Sequence, residues 1–163
     1  AADLVNTLRE NDLADLLFDL AQERYSRRIA RKIADARRQQ PITHTERLAE
    51  LVRSAIPSRG GAPEKIDPAT RTFMALRMAV NDELGNLNAL VRQAPRRLQP
   101  AGRFAVISFH STEDRVVKQA FRSLEQTGQI ALVTKKPIPP ADEEIARNPR
   151  SRSAKLRVIE RIN

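Results

Sequence analysis

The first 56 residues of the chain contain no glycine and only one proline, Pro41. Glycine and proline are the residues that most often interrupt regular structure, so this stretch has few places at which a helix must stop. Its apolar residues recur at intervals of three and four, the period of a helix that buries one face. The sequence therefore predicts several helices joined by short turns, and no strand, in this part of the chain.

Three of these helices can be placed by their apolar residues and their caps. The first follows Asn11 or Asp12, and the third opens with a capping box of Thr43 and Glu46 and ends near Pro57. The apolar stripes of the first two are Leu13, Leu16, Leu17 and Leu20, and Tyr25, Ile29, Ile33 and Ala36. The other side of the second helix is basic, with Arg24, Arg27, Arg28, Arg31 and Lys32. We expect the stripes to form the core and the basic side to face solvent or a polyanion.

A segment rich in glycine and proline, residues 58–68, is the clearest linker in the sequence. It predicts a boundary between a helical domain, residues 1–66, and an α/β domain, residues 67–163. Beyond it, residues 69–94 have the apolar period of one long helix, with a polar line along the border of the apolar face. The polar residues are Thr70, Arg77, Asn81 and Asn88. This line is expected either as the wall of a binding site or as ordinary boundary residues.

The rest of the chain alternates between strand and helix patterns. The apolar run at 103–109 predicts a strand buried on both faces, and a helix follows that stops at Gly128. Further strands are predicted at 130–134 and 153–162, with a short acidic helix at 142–146 between them. The order strand, helix, strand implies a right-handed parallel crossover, so the predicted fold class is α/β.

The chain is strongly basic, with 29 Lys and Arg against 20 Asp and Glu. The excess lies in two blocks, residues 21–59 and 147–163, and such arginine-rich blocks either attract phosphate backbones or form a solvated face. The absence of cysteine excludes disulfides, thiolate metal sites and thiol catalysis. Since no apolar run approaches the roughly 18 residues of a membrane span, and the first residues lack the pattern of a signal peptide, we expect a soluble cytoplasmic protein.

Polar residues gather where the first predicted strand ends, among them Ser108, His110, Ser111 and Asp114. Ligands of open α/β sheets bind beyond the carboxyl ends of the strands, so this is the best candidate site. A helix cap at Ser111 and an acid in the first turn at Asp114 would explain those two residues structurally. His110 is expected to point into the crevice. A second histidine ligand and a nearby carboxylate pattern are missing, and no Gly-x-Ser-x-Gly surrounds a serine, so neither a metal site nor a serine hydrolase is favoured.

The sequence offers no visible loop for a nucleotide or adenosyl cofactor. It has five glycines, no phosphate-binding loop and no Gly-x-Gly-x-x-Gly fingerprint. Near its end, four basic residues lead into the last predicted strand, where they either grip a phosphate backbone or protect a sheet edge. They are Arg150, Arg152, Lys155 and Arg157.

Four stretches carry a resemblance that covers essentially the whole chain. They are ADLVN at 2–6 with ERYSRRIARKI at 23–33, PATRTFMALRMAVNDEL at 68–84, GRFAVISFHSTEDRVVK at 102–118, and NPRSRSAKLRVIER at 148–161. Together they resemble the bacterial S-adenosylmethionine-dependent methyltransferases that modify N4 of a cytidine in small-subunit ribosomal RNA. The chain departs from the pattern of that family at Asp67, Met74 and Thr112, which weakens any role for these three residues.

This resemblance implies the C-terminal part of a doubly wound, Rossmann-like methyltransferase sheet, with residues 1–66 as a helical domain inserted into it. It implies methyl transfer from S-adenosylmethionine to an exocyclic cytosine amine. The cofactor is expected to be bound mainly upstream of the residues present, so this fragment alone is expected to be inactive. The partners implied are small-subunit ribosomal RNA or the ribosomal subunit, and no membrane, while a homodimer is left open.

On the same basis, Ser108, His110 and Asn81 are the catalytic candidates. The candidates for RNA or substrate binding are Arg77, Arg115, Lys118, Arg150, Arg152 and Lys155. No metal ligand is expected. Two other classes stay open: a basic RNA-binding module that catalyses nothing, and a structural or assembly protein.

Overall fold

The computed structural model describes residues 1–57 and 67–162. Its contacts divide the chain into a first unit, Ala1–Asp82, and a second unit, Glu83–Asn163. The helices of the first unit are α1 (Ala2–Thr7), α2 (Glu10–Ala21), α3 (Ser26–Gln39), α4 (Thr45–Ala55) and α5 (Thr70–Val80). As the sequence predicted, residues 1–56 form helices, and the structure places no strand there.

The core of the first unit is built by α2, which packs against α3 and α5, and by the contact of α3 with α4. Leu13, Leu17, Ile29 and Ile33 are completely buried in it, and the other members of both predicted stripes pack at its margin. The 3.6-residue period therefore identified the buried faces of α2 and α3 correctly. The basic side chains at 27, 28, 31 and 32 are exposed, as predicted.

The predicted helix caps are wrong in both cases. Helix α2 begins directly after Arg9, which forms an ion pair with Asp12 (Nε to Oδ2, 2.7 Å). Helix α4 begins after His44 without a side-chain cap, because the Thr43 hydroxyl bonds His44 Nδ1 at 2.9 Å instead of the helix backbone. The end of α4 at Ala55 agrees with the prediction of an end near Pro57.

The predicted long helix at 69–94 is interrupted. Helix α5 ends at Val80, and a second helix, α6 (Glu83–Gln93), follows a turn in which Asp82 has a φ of +46°. Asparagine and aspartate take turn and left-handed conformations more readily than other residues, apart from glycine. The polar line predicted from Thr70 to Asn88 therefore does not lie on one helix.

Most of the predicted linker, residues 58–66, lies outside the described residues. The contacts group α5 with the first unit, although the sequence predicted it in the domain that begins at residue 67. The assignment of residues 1–66 as an inserted domain stays a prediction.

The second unit combines helices with a three-stranded sheet. After α6 and a short 3-10 helix at Ala94–Arg97, its elements are β1 (Arg103–Ser108), α7 (Ser111–Glu125), β2 (Ile130–Leu132), α8 (Asp142–Arg147), a 3-10 helix at Pro149–Ser153, and β3 (Lys155–Arg161). The strand order is β1-β3-β2, and β3 is antiparallel to both neighbours. Strands β1 and β2 thus run in the same direction in one sheet and are joined through α7, which agrees with the predicted parallel crossover, but β3 lies between them.

One face of this sheet is covered by apolar packing. Val117 and Phe121 of α7 are buried with Ile130 and Ile159 of the sheet, and the Phe121 ring meets the ring of Phe104 edge to face at 5.8 Å. Strand β1 alternates between half-buried and exposed residues up to its buried last residue. The prediction that this strand is buried on both faces is therefore wrong for the described chain.

Across residues 1–57 and 67–162, no helix has both the length and the apolar content needed to cross a membrane.

Candidate functional site at the end of β1

His110 caps helix α7 in the turn that follows β1. Its Nδ1 accepts a hydrogen bond from the backbone N–H of Glu113 at 3.4 Å. In return, Oε2 of Glu113 accepts from the backbone N–H of Phe109 at 2.9 Å and of His110 at 3.4 Å. This reciprocal arrangement is a capping box in which histidine replaces the usual serine or threonine. The predicted cap at Ser111 is therefore wrong, and Ser111 is exposed in the first turn.

The other ring nitrogen of His110 faces a carboxylate. Nε2 lies 3.1 Å from Oε1 of Glu113, but the contact lacks the alignment of a hydrogen bond, so that Nε2 is buried without an aligned partner. Because Nδ1 accepts, the hydrogen of a neutral ring belongs on Nε2; this tautomer is inferred from the hydrogen-bond network. The arrangement presents a buried imidazole N–H beside a carboxylate.

Glu113 is held as a carboxylate. Burial raises the pKa of Glu113, but the His110 ring and the backbone N–H groups of Phe109 and His110 lower it by more, so the pKa lies below its ordinary value. A carboxylate with a lowered pKa is a poor acceptor of protons at neutral pH. Glu113 is therefore suited to orienting His110 rather than to taking a proton from a substrate.

A second carboxylate, from Glu83 at the start of α6, joins this pair. One ligand atom each of Glu83, His110 and Glu113 lie within 4.8 Å of one another. The prediction that no carboxylate pattern accompanies His110 is wrong, because Glu83 is distant in sequence and Glu113 is one helical turn away. Such a set can ligate a divalent cation. Within this cluster, Glu113 also serves the helix cap.

Ser108 is less accessible than the sequence suggested. The residue is 3% exposed, and its hydroxyl donates a long hydrogen bond of 3.5 Å to the carbonyl oxygen of Lys155 on β3. Ser108 was predicted as a catalytic candidate at the end of the strand. The structure places the Ser108 hydroxyl against the neighbouring strand.

An ion pair next to this site joins α7 to β3. Asp114 Oδ1 accepts from Arg157 Nε at 2.7 Å and Oδ2 from Arg157 Nη2 at 3.3 Å, while Lys155 Nζ lies 3.4 Å from Oδ2. The side chains of Arg157 and Asp114 are only 9% and 12% exposed. Arg157 is one of the four basic residues predicted either to bind a phosphate backbone or to protect a sheet edge. Its guanidinium is buried instead and neutralises the charge of Asp114.

Three of the proposed RNA-binding residues, Arg115, Arg150 and Arg152, are exposed. Arg150 and Arg152 flank the buried Ser151 on the 3-10 helix that precedes β3. Lys118 is half-buried, and Lys155 is partly exposed while it forms an ion pair with Asp114. The described part of the second unit thus offers basic groups near the start of β3.

Arg77 and Asn81 belong to the first unit. They line a cavity of about 350 Å³ there, together with His44 and with apolar residues of α4 and α5. Both have interactions in the structure. The roles of Asn81 in catalysis and of Arg77 in RNA or substrate binding stay predictions.

Two described glycines of the second unit, Gly102 and Gly128, do not form a loop of the kind that holds an adenosyl cofactor. A Cβ on Gly102 would lie 2.7 Å from the carbonyl oxygen of Gln99, so this glycine closes a tight turn. Gly128 has a φ of +73° and faces open space after α7. Neither forms a cradle at the end of a strand, and the turn after β1 is closed by the side chains of His110 and Glu113.

Residues 1–162 match the sequence model of the family described as the MraW methylase family. The chain belongs to this family. It is 51% identical over 160 residues to a protein of Solibacter usitatus, covering 98% of this chain and 54% of the relative. It is 52% identical to relatives from Anaplasma marginale (strain Florida) and Deinococcus deserti, covering 99% of this chain and 55% and 52% of those proteins. All three relatives are named ribosomal RNA small subunit methyltransferase H.

The chain spans about half the length of these MraW relatives. Within this half, sequence reasoning found His110 but missed both of its carboxylate neighbours. The spacing of His110 and Glu113 is that of a capping box, and this signal could have found Glu113. Nothing in the local sequence connects Glu83 with His110, because their proximity depends on the packing of α6 against α7.

The Asp114–Arg157 pair gives this MraW family member a testable dependence on pH. Burial raises the pKa of Asp114, but Arg157 and Lys155 lower it by more, so the folded-state pKa lies below that of the unfolded chain. The stabilisation is therefore complete above the ordinary aspartate pKa of about 3.9 and is lost as the pH falls through the lower folded value. We expect Asp114→Asn to cost about 3 kcal/mol at neutral pH, because it leaves Arg157 buried without its counter-charge.

Urea unfolding of the wild type and the variant between pH 7 and pH 3 measures this difference. Asp142→Asn, at an exposed aspartate of α8, is the matched control and should change the free energy of unfolding by less than about 0.5 kcal/mol. A difference between wild type and Asp114→Asn that does not shrink toward low pH would contradict the role of the pair.

Proposed function

We propose that the complete protein transfers a methyl group from S-adenosylmethionine to N4 of a cytidine in small-subunit ribosomal RNA. In this proposal the present chain supplies the side of the site that holds the base and the RNA. The relatives' names support an RNA methyltransferase, and the resemblance described above supports N4 of cytidine. The observation that carries the assignment of the site is the buried His110 N–H held beside Glu113 at the end of β1.

The fold that this proposal requires is a doubly wound, Rossmann-like sheet of which β1 to β3 are the last strands. Residues 1–66 would be a helical domain inserted into it. Ile107 of β1 and the following Phe109 are 58% and 54% exposed, which is unusual for large apolar side chains at the end of a strand. Their exposure supports the proposal that further parts of the complete protein cover this end of β1.

His110 is proposed to hold the target base rather than to remove its proton. Its Nδ1 is occupied by the helix cap and its Nε2 carries hydrogen, so the ring has no free acceptor. Because Nε2 is buried beside Glu113, it can donate to a base only when the Glu113 side chain moves aside. The Watson–Crick edge of cytosine carries acceptors at N3 and O2 beside the reacting amine, and a fixed donor can orient that edge. Glu113 is then a positioning residue that acts through His110.

The other two catalytic candidates are Ser108 and Asn81. The buried hydroxyl of Ser108 contacts β3, and we propose that Ser108 holds the end of β1 rather than the base. Asn81 is retained as a candidate on the resemblance alone. Arg77 is likewise retained as a candidate for substrate binding.

The basic residues of the second unit are proposed to bind the RNA backbone. They are Arg115, Lys118, Arg150, Arg152 and Lys155. Phosphate contacts of this kind fix the register of a nucleic acid without reading its sequence. Lys155 can make such a contact while it remains within 3.4 Å of Asp114, because its side chain is partly exposed.

The cofactor is proposed to bind in the part of the complete protein that precedes this chain. The misfit of Gly102 and Gly128 to an adenosyl site supports this placement. The same observation favours a second candidate function for the fragment alone, a basic RNA-binding module without catalytic activity. This second function concerns the chain alone and is compatible with methyl transfer by the complete protein.

The test of this proposal is methyl transfer by the full-length protein and by this chain alone. Each is incubated with S-adenosylmethionine carrying a labelled methyl group and with small ribosomal subunits or deproteinised small-subunit RNA, and the digested nucleosides are analysed by mass spectrometry. We expect N4-methylcytidine with the full-length protein and no labelled nucleoside with the chain alone. Label in another nucleoside would contradict the assignment to N4, and activity of the chain alone would contradict the placement of the cofactor.

The proposed roles of His110 and Glu113 can be separated from their role in folding. Glutamine preserves a capping box and asparagine is a good N-cap, so Glu113→Gln and His110→Asn should retain α7. We expect each to lower kcat of the full-length protein roughly 100-fold, with KM for the RNA changed less than about threefold. Ser111→Ala, at the exposed residue beside them, is the control and should leave kcat unchanged.

Steady-state kinetics at several pH values, with circular dichroism as the check on α7, provide the measurement. Full activity of Glu113→Gln would show that the carboxylate does not position His110. An equal loss with Ser111→Ala would show that the turn is sensitive to any substitution.

A further inference from the structure

A groove of about 500 Å³ runs between α3 and α4 in the first unit. Its α3 side carries four cationic side chains, and its α4 side consists of small and apolar residues. The cationic residues are Arg27, Arg28, Arg31 and Lys32, and those of α4 are Leu51, Ser54 and Ala55. None of these residues has a part in the site at the end of β1.

The cationic side of α3 opposes the stability of its own helix. Arg27 and Arg28 lie in the first turn, where the helix dipole disfavours positive charge, and this turn has no acidic residue. Arg27 with Arg31 and Arg28 with Lys32 are pairs of like charge four residues apart, which repel on a helix surface. The buried face, with Ile29 and Ile33, fixes these four side chains on the solvent side. Their charge therefore has to be explained by something other than the helix.

Few carboxylates neutralise this side of the groove. Arg31 lies 3.5 Å from Glu10, and Asp35, which also lines the groove, is paired with Arg38 at 3.0 Å. Over residues 1–57 and 67–162, no carboxylate lies within ion-pair distance of Arg27, Arg28 or Lys32. The groove thus presents exposed cations along one side, which is the charge pattern that a phosphate backbone complements.

The α4 side of the groove is suited to an uncharged part of a ligand whose phosphates lie along α3. Leu51 and Ala55 are largely buried and apolar, and the Ser54 hydroxyl is turned to the Leu51 carbonyl oxygen at 2.8 Å. This leaves an apolar surface opposite the cations. The groove's volume is in the range of small-molecule sites and is sufficient for one nucleotide.

We propose that this groove binds one nucleotide of a single RNA strand, with phosphates along α3 and the base or sugar against the surface of Leu51, Ser54 and Ala55. This inference rests on the proposed function, since it takes the RNA to be the substrate of the complete protein. It adds to that function an RNA contact in the helical unit, on residues other than those near the start of β3.

The test measures the affinity of the full-length protein for a fluorescent single-stranded fragment of small-subunit ribosomal RNA at several KCl concentrations. One variant carries Arg27→Gln, Arg28→Gln and Lys32→Gln. The matched control carries Arg9→Gln, Arg47→Gln and Arg71→Gln, three exposed arginines of the same unit that do not line the groove. Both variants lose three positive charges, so a general effect of charge is equal in the two.

We expect the groove variant to reduce the magnitude of the slope of log affinity against log salt concentration by about 2. Each phosphate contact with a single strand contributes about 0.7 to this slope, and the variant removes three cationic side chains. At low salt its affinity should fall at least tenfold, and the control should change both quantities by less than half as much. A separate variant, Ser54→Trp, fills the groove without altering charge and should lower affinity about tenfold with the slope unchanged. The thermal midpoint of each variant confirms that it is folded.

Equal losses in the groove variant and its control would overturn the groove as a specific site. Wild-type affinity in Ser54→Trp would overturn the insertion of a nucleotide. If the wild-type protein forms N4-methylcytidine but the groove substitutions leave the RNA affinity unchanged, only the groove proposal is wrong. If the groove substitutions weaken RNA binding but the wild-type protein methylates no cytidine, only the proposed function is wrong. If the wild-type protein does not bind RNA, both proposals are wrong.

Discussion

The reciprocal bonds between His110 and Glu113 join the end of β1 to the start of α7, and the organisation of the candidate site depends on them. One carboxylate oxygen of Glu113 accepts the backbone N–H groups of the turn, and the other lies beside the histidine ring. The same two residues therefore begin the helix, orient the imidazole and determine which ring nitrogen carries hydrogen. The adjacent Asp114–Arg157 pair ties this helix start to β3, so that the turn is supported from two sides.

The period of the apolar residues predicted the helices of the first unit and the buried faces of α2 and α3, because these depend on neighbours in sequence. It did not show the turn at Asn81 and Asp82, since Val80 and Leu84 continue the apolar spacing of a single helix across it. The position of β3 between β1 and β2 was likewise beyond the sequence. The pairing of β1 with β3 joins residues 47 to 57 positions apart, and nothing in either strand specifies its neighbour.

The candidate site was predicted only in part, because some of its contacts also join residues that are distant in sequence. The position of His110 after an apolar strand indicated the right turn, and the exposed basic residues near β3 followed from composition. The cap at Ser111 was the wrong choice because the usual capping residues carry oxygen, whereas here an imidazole nitrogen accepts the bond. Glu83 comes close to His110 only through the packing of α6 on α7, which no local pattern encodes.

The turn after β1 holds His110 with hydrogen on Nε2 and with Nδ1 as an acceptor. The most direct measurement is nitrogen-15 NMR of the ring of His110 in the full-length protein at neutral pH, assigned by comparison with His110→Asn. We expect the shifts and couplings of a neutral ring protonated at Nε2, and a change in Glu113→Gln, where the neighbouring charge is lost. A ring protonated at Nδ1, or one that averages between both tautomers, would contradict the account, because the helix cap would then not fix the imidazole.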